Sequence, residues 1–193
     1  MATANFFSID TFREKLNGGS KANLFRMEIE PDEPGGIDGV DLANVPILCK
    51  SGAIPAFTLG VIEVPFRGRR IKIPGDRTYA DWTATFINDD NQDIRKSFDN
   101  WLNSIVSVDG EKALRDGTDS YRCTITVNQL KPDGSVARKY KLFDAFPTDV
   151  SAIDLSYDTT DAVQEFTVTF QYHYLDVGVG DGEPLAGTAS TKK

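Results

Sequence analysis

The chain has 193 residues, of which 40% are hydrophobic, enough for one domain with a sizeable core. Its 21 basic and 29 acidic residues give a net charge of −8, which argues against a protein that clamps nucleic acid by its phosphates, because that affinity comes from basic surface. No stretch has the length of apolar sequence needed to span a bilayer, and the N-terminus lacks a signal-peptide pattern, so we expect no membrane anchor.

The N-terminal part predicts a helix, a strand and a loop, in that order. Residues Ser8 to Asn17 have helical spacing of apolar side chains, with Asp10 or Thr11 as the cap and a glycine pair as the stop. Residues Leu24 to Glu30 alternate apolar and charged side chains, which is typical of a half-buried strand. Residues 31–46 are rich in Pro, Gly and Asp and predict an inserted surface loop.

A short strand over Ile47 to Lys50 precedes the most unusual segment, residues 51–75. Its prolines remove backbone donors and exclude a long helix, yet it is too apolar for a solvated loop. Its large apolar side chains need a partner surface, and we predict an extended arm that attaches to another copy or another molecule. The seven are Ile54, Phe57, Leu59, Val61, Ile62, Val64 and Phe66.

The rest of the chain predicts one outer helix and further strands. A strand over Thr78 to Ile87 leads to a helix that begins near Asn91, whose apolar face holds Phe98 and Trp101. After a polar connection over residues 108–120, strands over 121–128 and 136–143 form a hairpin around a Pro-Asp-Gly turn, and Pro147 ends the second of them. Two more strands follow, one marked by Ile153, Leu155 and Tyr157 and one running over 166–174.

This order of elements predicts a mainly β fold: an antiparallel sandwich or barrel with a flanking α-helix. We expect one domain over residues 1–177. The small, polar and glycine-rich residues 178–193 predict a flexible tail.

Chemistry-bearing patterns are absent from the sequence. The single histidine, His173, lies on the polar face of a predicted strand, and no phosphate-binding, dinucleotide-binding or zinc-protease motif occurs. The acidic pair Asp89-Asp90 lacks the spacing of a calcium loop and fits a helix cap better. Cys49 and Cys123 form no CxxC pair, and we expect both to be reduced and buried. We therefore predict no enzyme, no cofactor and no metal site.

Several segments together resemble the major tail tube protein family of contractile-tailed bacteriophages of the T-even type. The most specific is the Gly-Asp-Arg-Thr block, Gly75 to Thr83, followed by the helix. Asn23 to Ile29 resembles the family's first strand, Phe146 to Val150 a late segment, and Gln164 to Phe170 the final strand. The resemblance covers about residues 12–174, and residues 31–46 and 178–193 depart from the family.

The resemblance implies a structural protein of the virion tail that assembles in the host cytoplasm. Hexameric rings would stack into a hollow tube, each subunit adding strands to an inner β-barrel completed on hexamerisation. The implied partners are further copies of the chain, the tail sheath, baseplate and terminator proteins, and phage DNA, which passes through without specific binding.

The resemblance also implies roles for particular residues. The seven apolar side chains of the arm would mediate inter-subunit and ring-stacking contacts. Gly75, Asp76, Arg77, Asp81 and Trp82 would form a structural anchor, with Arg77 held by charge-assisted hydrogen bonds to Asp76 and Asp81. Arg122, Thr124, Thr126 and Asn128 are candidates for the lumen surface.

Three alternatives remain open at this point. The same fold serves tubes of type VI secretion and extracellular injection systems, which the sequence does not separate from a phage tube. A monomeric ligand-binding β-sandwich predicts a concave aromatic cluster and no need for the arm. A hydrolase would have to depend on His173.

Overall fold

A computed structural model describes residues 8–32, 37, 40–42, 44–108, 121–158, 160–179 and 183–184. Two α-helices and ten β-strands occur in these ranges. In chain order they are α1 Ile9–Leu16, β1 Phe25–Pro31, β2 Cys49–Gly52, β3 Phe57–Phe66, β4 Arg69–Tyr79, β5 Trp82–Ile87, α2 Asp93–Ile105, β6 Cys123–Leu130, β7 Val136–Val150, β8 Glu165–Gln171, β9 Tyr174–Val179 and β10 Glu183–Pro184.

The strands form one antiparallel sheet system and one separate hairpin. Strands β1, β6, β7 and β9 are neighbours in one half, and β7, β8, β5 and β2 are neighbours in the other. The 15-residue strand β7 belongs to both halves and passes between them at a bulge, where Asp144 takes a left-handed φ of 53°. Among the described strands, β3 and β4 pair only with each other. The predicted mainly β, antiparallel fold class is confirmed.

The core is a single cluster formed by alternate residues of the strands and by one face of α2. Phe98 on α2 lies at its centre, with ring centroids 5.1 Å from Phe86 on β5 and 6.0 Å from both Phe166 and Phe170 on β8. Trp101 is fully buried, and its indole nitrogen donates to the Tyr121 carbonyl at 2.8 Å. The predicted long helix is therefore confirmed, and it fixes the second half of the sheet to the core.

Helix α1 has the predicted extent but a different cap. The Ser8 side chain accepts from the Thr11 backbone N–H at 3.1 Å, and Asn17 takes the left-handed conformation that ends the helix. Neither Asp10 nor Thr11 is the cap residue. No residue of α1 is buried.

The loop over residues 31–46 contributes to the core, which the sequence did not predict. Ile37 and Val45 are buried, and Val40 and Leu42 pack against the core from partly buried positions. The prediction of a purely surface loop was wrong, because these apolar side chains are spread among turn residues and show no strand or helix period.

Three predicted strands have different boundaries or do not form. The segment predicted over 78–87 is the end of β4 followed by β5, with a break at Ala80 and Asp81. Residues 151–164 form no strand in their described part, although Ile153, Leu155 and Tyr157 alternate. The predicted last strand is also two strands, because Tyr172 and His173 connect β8 to β9.

Pro147 does not end its strand. It lies inside β7 opposite Phe170, where β7 has passed its pairing with β6 and β9 and pairs only with β8. Proline is tolerated on such an edge because its missing N–H points away from the neighbouring strand.

The predicted tail begins later than expected. Gly178 and Val179 belong to β9, and Glu183 and Pro184 form the short strand β10 that pairs with them. The remainder of the predicted tail, at 180–182 and 185–193, lies outside the described residues, as does most of the predicted connection, at 109–120.

Candidate assembly surfaces

The hairpin β3–β4, residues 57–79, is the largest exposed apolar feature in the described part of the chain. Every residue of β3 is exposed, although most of them are hydrophobic. The seven apolar residues predicted for the arm are all on the surface, with relative exposures between 41% and 61%. The sequence did not predict Ile71 and Ile73 on β4, which are exposed beside them.

The hairpin has two different faces. Cross-strand pairs Ile62–Ile73 and Val64–Ile71, followed by Phe66, make one face apolar up to the tip. On the other face Glu63 pairs with Arg70 at 2.9 Å and with Lys72 at 3.8 Å. The tip is a two-residue turn in which both Arg67 and Gly68 have positive φ, as a tight β-hairpin requires.

A tight bulge near the middle of the hairpin requires glycine. The register shifts between Leu59 and Val61, where Gly60 and Gly75 face each other. A Cβ added at Gly75 would lie 3.2 Å from the Ile62 side chain and 3.3 Å from the Gly60 carbonyl. Any side chain at position 75 would therefore push the two strands apart.

The hairpin is fixed to the body at its root. Trp82 is buried, and its indole nitrogen donates to the Ala53 carbonyl at 2.6 Å. The Ala80 N–H donates to the Ala56 carbonyl at 3.2 Å, which closes the base of the hairpin. The Tyr79 ring lies 5.6 Å from that of Tyr172, between centroids. These contacts hold the root while leaving the strands free of the body.

Part of the predicted anchor needs correction. Among the described residues Arg77 forms no ion pair with Asp76 or Asp81; its guanidinium lies 4.9 Å from the centroid of the Phe57 ring. Asp76 and Arg77 are strand residues of β4 and do not lie in a turn, so the charges next to each other in sequence point in different directions. Gly75 and Trp82 are the members of the set with a close structural contact.

A second surface is the polar face of the half-sheet β1, β6, β7 and β9. The strand register places Arg26, Asn128 and Lys139 in one row and Glu28, Thr126 and Lys141 in the next. Asp176 on β9 continues the second row. This face carries four basic side chains, Arg26, Arg122, Lys139 and Lys141, and four acidic ones, Glu28, Glu30, Asp176 and Asp32, which bonds to Thr124.

The four residues predicted for the lumen belong to this face but are not equally accessible. Thr126 is 2% exposed and Asn128 is 5% exposed, and their cross-strand neighbours are Glu28 and Lys141 for Thr126 and Arg26 and Lys139 for Asn128. Arg122 and Thr124 are partly exposed; Arg122 lies 3.8 Å from Asp144, and Thr124 donates to Asp32 at 2.7 Å. Thr126 and Asn128 therefore expose little surface in the single chain, and the assignment of the four residues to a lumen stays a prediction.

Two strands of this half-sheet have open edges. Within the described residues, β1 pairs only with β6, and β9 pairs with β7 and, at its last two residues, with β10. Unpaired strand edges are templates for pairing with another chain. Since all neighbours in this half-sheet are antiparallel, β1 and β9 run in opposite directions.

Features that would support catalysis are weak in the described residues. A cavity of about 350 Å³ at the corner between the two half-sheets is lined by Arg122, Asp144, Phe146, Gln171, Tyr172 and His173. No cluster of three or more metal-ligating acidic, histidine or cysteine side chains occurs there or elsewhere in those residues. None of the described helices is both long and apolar enough to cross a membrane.

The surroundings of both cysteine thiols keep them unreactive. Burial raises the pKa of the Cys49 thiol to about 11, against a smaller opposite effect of a backbone hydrogen bond at Ser51. Burial also raises the pKa of Cys123 well above its ordinary value. Both are free cysteines, and Cys49 is only partly buried, which differs from the prediction. At neutral pH neither provides the thiolate that nucleophilic chemistry needs.

Comparison with known proteins identifies relatives along most of the chain. A family model described as phage tail tube protein matches residues 4–177. The tail tube protein gp19 of Enterobacteria phage T4 is 33% identical over 134 residues, covering 69% of this chain and 82% of that protein. The tail tube protein of Serratia phage KSP90 is 27% identical over 167 residues, covering 86% of this chain and 94% of that protein.

A solved structure shows the same fold. A chain of the sheath–tube complex of an extracellular contractile injection system, PVC, in its extended state superposes with a TM-score of 0.62. The match covers 89% of this chain and 99% of that chain at 15% identity.

Proposed function

Because this chain belongs to the phage tail tube protein family and is a tail tube protein of a contractile phage, we propose that six copies close into a ring and that rings stack into a hollow conduit for DNA. The tube grows from a baseplate, ends at a terminator protein and lies inside a contractile sheath. Assembly takes place in the host cytoplasm. No step of this role requires catalysis.

The observation that carries the proposal is the exposed hairpin. A two-stranded hairpin on its own is at best marginally stable in water. This one exposes hydrophobic side chains on both faces, with Leu59 and Val61 on one side near the root and Ile62 and Val64 on the other side toward the tip. An element of this kind gains its stability when a neighbouring copy covers it, since burying the side chains removes apolar surface from water.

The open edges of β1 and β9 support ring closure. They run in opposite directions, so β1 of one copy can pair with β9 of the next copy in the same antiparallel pattern that the sheet already has. Repeating one such heterologous contact around an axis closes a ring and removes every free edge. The polar faces of the half-sheets then line the channel.

A balanced channel surface suits a conduit. The polar face carries equal numbers of basic and acidic side chains, and the chain as a whole has a net charge of −8. Tight binding to a phosphate backbone needs an excess of basic surface, which is absent from this face. Arg122 and Thr124 are the accessible members of the four predicted lumen residues.

The injection-system alternative has weaker support. The two sequence relatives described above are phage tail tube proteins at 27% and 33% identity, whereas the injection-system chain is 15% identical and shows the fold alone. A monomeric ligand-binding sandwich leaves the exposed hairpin without a purpose.

The test is assembly of a hairpin variant. We expect Ile62→Asp to leave the subunit folded and to abolish tubes, because a carboxylate replaces an apolar contact that assembly buries. Negative-stain electron microscopy and sedimentation give the yield of tubes, and circular dichroism reports the fold.

Ile62→Val is the matched control, since it keeps an apolar, β-branched side chain at the same position. We expect it to assemble like the parent. Normal tubes from Ile62→Asp would contradict the assignment of the hairpin to an interface, and a parent chain that stays monomeric under all assembly conditions, including with a baseplate, would contradict the proposed function.

A further inference from the structure

We propose that the hairpin of a subunit in one ring docks on a defined surface of a subunit in the next ring: the distal loop, residues 151–158 and 160–164, which joins β7 to β8. The inference rests on the proposed stacking of rings and names the surface that accepts the hairpin. Four observations support it: charge, exposed apolar area, free charges and position in the fold.

Charge separates the hairpin from the rest of the chain. Residues 57–79 contain five basic and two acidic side chains, a net charge of +3. The whole chain has a net charge of −8, so everything outside the hairpin sums to −11. Three of the basic residues, Arg67, Arg69 and Arg70, lie at or beside the tip. A basic element on an acidic chain is complementary to another copy of the same chain.

The distal loop has the opposite charge. Residues 151–164 carry three acidic side chains, Asp154, Asp158 and Asp161, and no basic one. No lysine or arginine occurs anywhere between residues 143 and 191. The loop therefore provides a net charge of −3 against the +3 of the hairpin, in a region of the sequence where no basic residue neutralises it.

The distal loop also has apolar side chains that are exposed among the described residues. Leu155 is 79% exposed, Val163 is 66% exposed and Tyr157 is fully exposed. Leu155 and Tyr157 alternate with polar residues, yet they form no strand. Exposed apolar groups set among like charges are typical of the contact surface for a complementary partner. The apolar face of the hairpin, from Ile62 to Phe66, is such a partner.

The charges on both surfaces are available. In the described part of the chain, Asp154, Asp158 and Asp161 are in no ion pair, and neither is Arg69. Arg67 lies over the ring of Phe66 at the tip, 5.5 Å from its centroid, which keeps its guanidinium beside the apolar face. Docking can form new ion pairs here without breaking existing ones.

The two surfaces lie at opposite ends of the same half-sheet. The hairpin leaves the body beside Trp82, which pairs with Phe170. The distal loop enters and leaves at the other end, where Ile87 pairs with Glu165. Strand β5 has six residues, so the two ends are separated by about 17 Å. A contact between opposite ends of identical subunits repeats head to tail, which produces an open stack of rings.

Paired charge reversals test the inference. The hairpin variant is Arg67→Glu with Arg69→Glu, and the distal variant is Asp154→Lys with Asp158→Lys. We expect each to fold and to form rings of normal size, and to give at least about tenfold fewer tubes than the parent at low salt, because like charges then face each other. Native mass spectrometry measures rings, and sedimentation with negative-stain microscopy measures tubes.

Combining the changes makes the test specific. A chain carrying all four substitutions restores opposite charges across the contact, and we expect it to recover tubes. An equimolar mixture of the two double variants should recover them as well, through alternating rings. Lys96→Glu, a reversal on the exposed side of α2, is the control and should leave tube yield unchanged.

The outcomes separate this inference from the function on which it rests. Normal tubes from the distal variant, or no recovery in the fourfold variant, would show that the distal loop meets some other partner and would overturn the inference alone. A parent chain that forms neither rings nor tubes would overturn the proposed function together with it.

Discussion

At the residue scale, Trp82 has two tasks. Its ring packs in the core 5.6 Å from that of Phe170, and its indole nitrogen holds the Ala53 carbonyl just before the hairpin begins. Gly52 packs closely against the same ring: a Cβ added at position 52 would lie only 3.2 Å from it. One side chain thus connects the core to the direction in which the hairpin leaves the body.

Replacing this indole tests the role. We expect Trp82→Phe to lower the free energy of unfolding by about 2 kcal/mol, from the lost hydrogen bond and the smaller ring. It should reduce assembly more than the stability loss explains, since the hairpin root is no longer fixed. Chemical denaturation measures the first effect and tube yield the second.

Tyr79→Phe is the control for the same region. The ring contact with Tyr172 is kept and only a hydroxyl is removed, so both stability and tube yield should stay near the parent values. An unchanged tube yield in Trp82→Phe would show that the indole hydrogen bond does not position the hairpin.

At the element scale, the hairpin is an appendage that the body does not need for folding. Its strands contact each other and leave the body after the hydrogen bond between Ala80 and Ala56. The core cluster contains one hairpin residue, Tyr79, and only in a partly buried position. Ala56 and Ala80, which flank the hairpin, are therefore already adjacent and could be joined if the hairpin were deleted.

We expect deletion of residues 57–79, with a short glycine linker between Ala56 and Ala80, to give a soluble, folded subunit that makes no tubes. Its melting temperature should lie within about 5 °C of the parent, because few buried contacts are lost. Calorimetry measures the melting temperature, and electron microscopy shows whether tubes form. A deletion variant that fails to fold would contradict the independence of the body from the hairpin.

The sequence predicted elements well wherever one face of a strand or helix is buried. Strand β6 alternates Cys123, Ile125 and Val127 with polar residues, and α2 repeats its apolar positions at helical spacing, so the periodicity identified both. The paired strands of the hairpin were missed because β3 has large apolar side chains at successive positions, such as Val61 and Ile62, and because Pro65 and Pro74 resemble strand breakers. No periodic signal marks an element whose partner is another molecule.

Candidate site residues could be predicted from the sequence only where a local run of side chains indicated their property. The apolar run from Phe57 to Phe66 predicted an interface; the structure shows these side chains exposed, and their role in an interface stays a proposal. The pairing of Arg77 with its acidic neighbours was wrong because adjacency in sequence does not place side chains together in a strand. The burial of Thr126 and Asn128 depends on side chains of β1 and β7, which local sequence does not reveal.

At the scale of the whole molecule, three incomplete surfaces remain: an apolar hairpin, two open strand edges and an acidic distal loop. Each is costly or unstable for an isolated chain, and each is complementary to another surface of the same chain. The proposed lateral pairing through β1 and β9 and the proposed axial docking of the hairpin would satisfy all three at once.

The most direct measurement is a cryo-electron microscopy reconstruction of the particles that the purified chain forms, or of tails that contain it. We predict six-fold rings stacked into a hollow tube, with the hairpin covered by a neighbouring copy and β1 paired to β9 of the adjacent subunit. A reconstruction in which the hairpin remains exposed to solvent, or in which the polar face of the half-sheet points outward from the tube, would contradict the account.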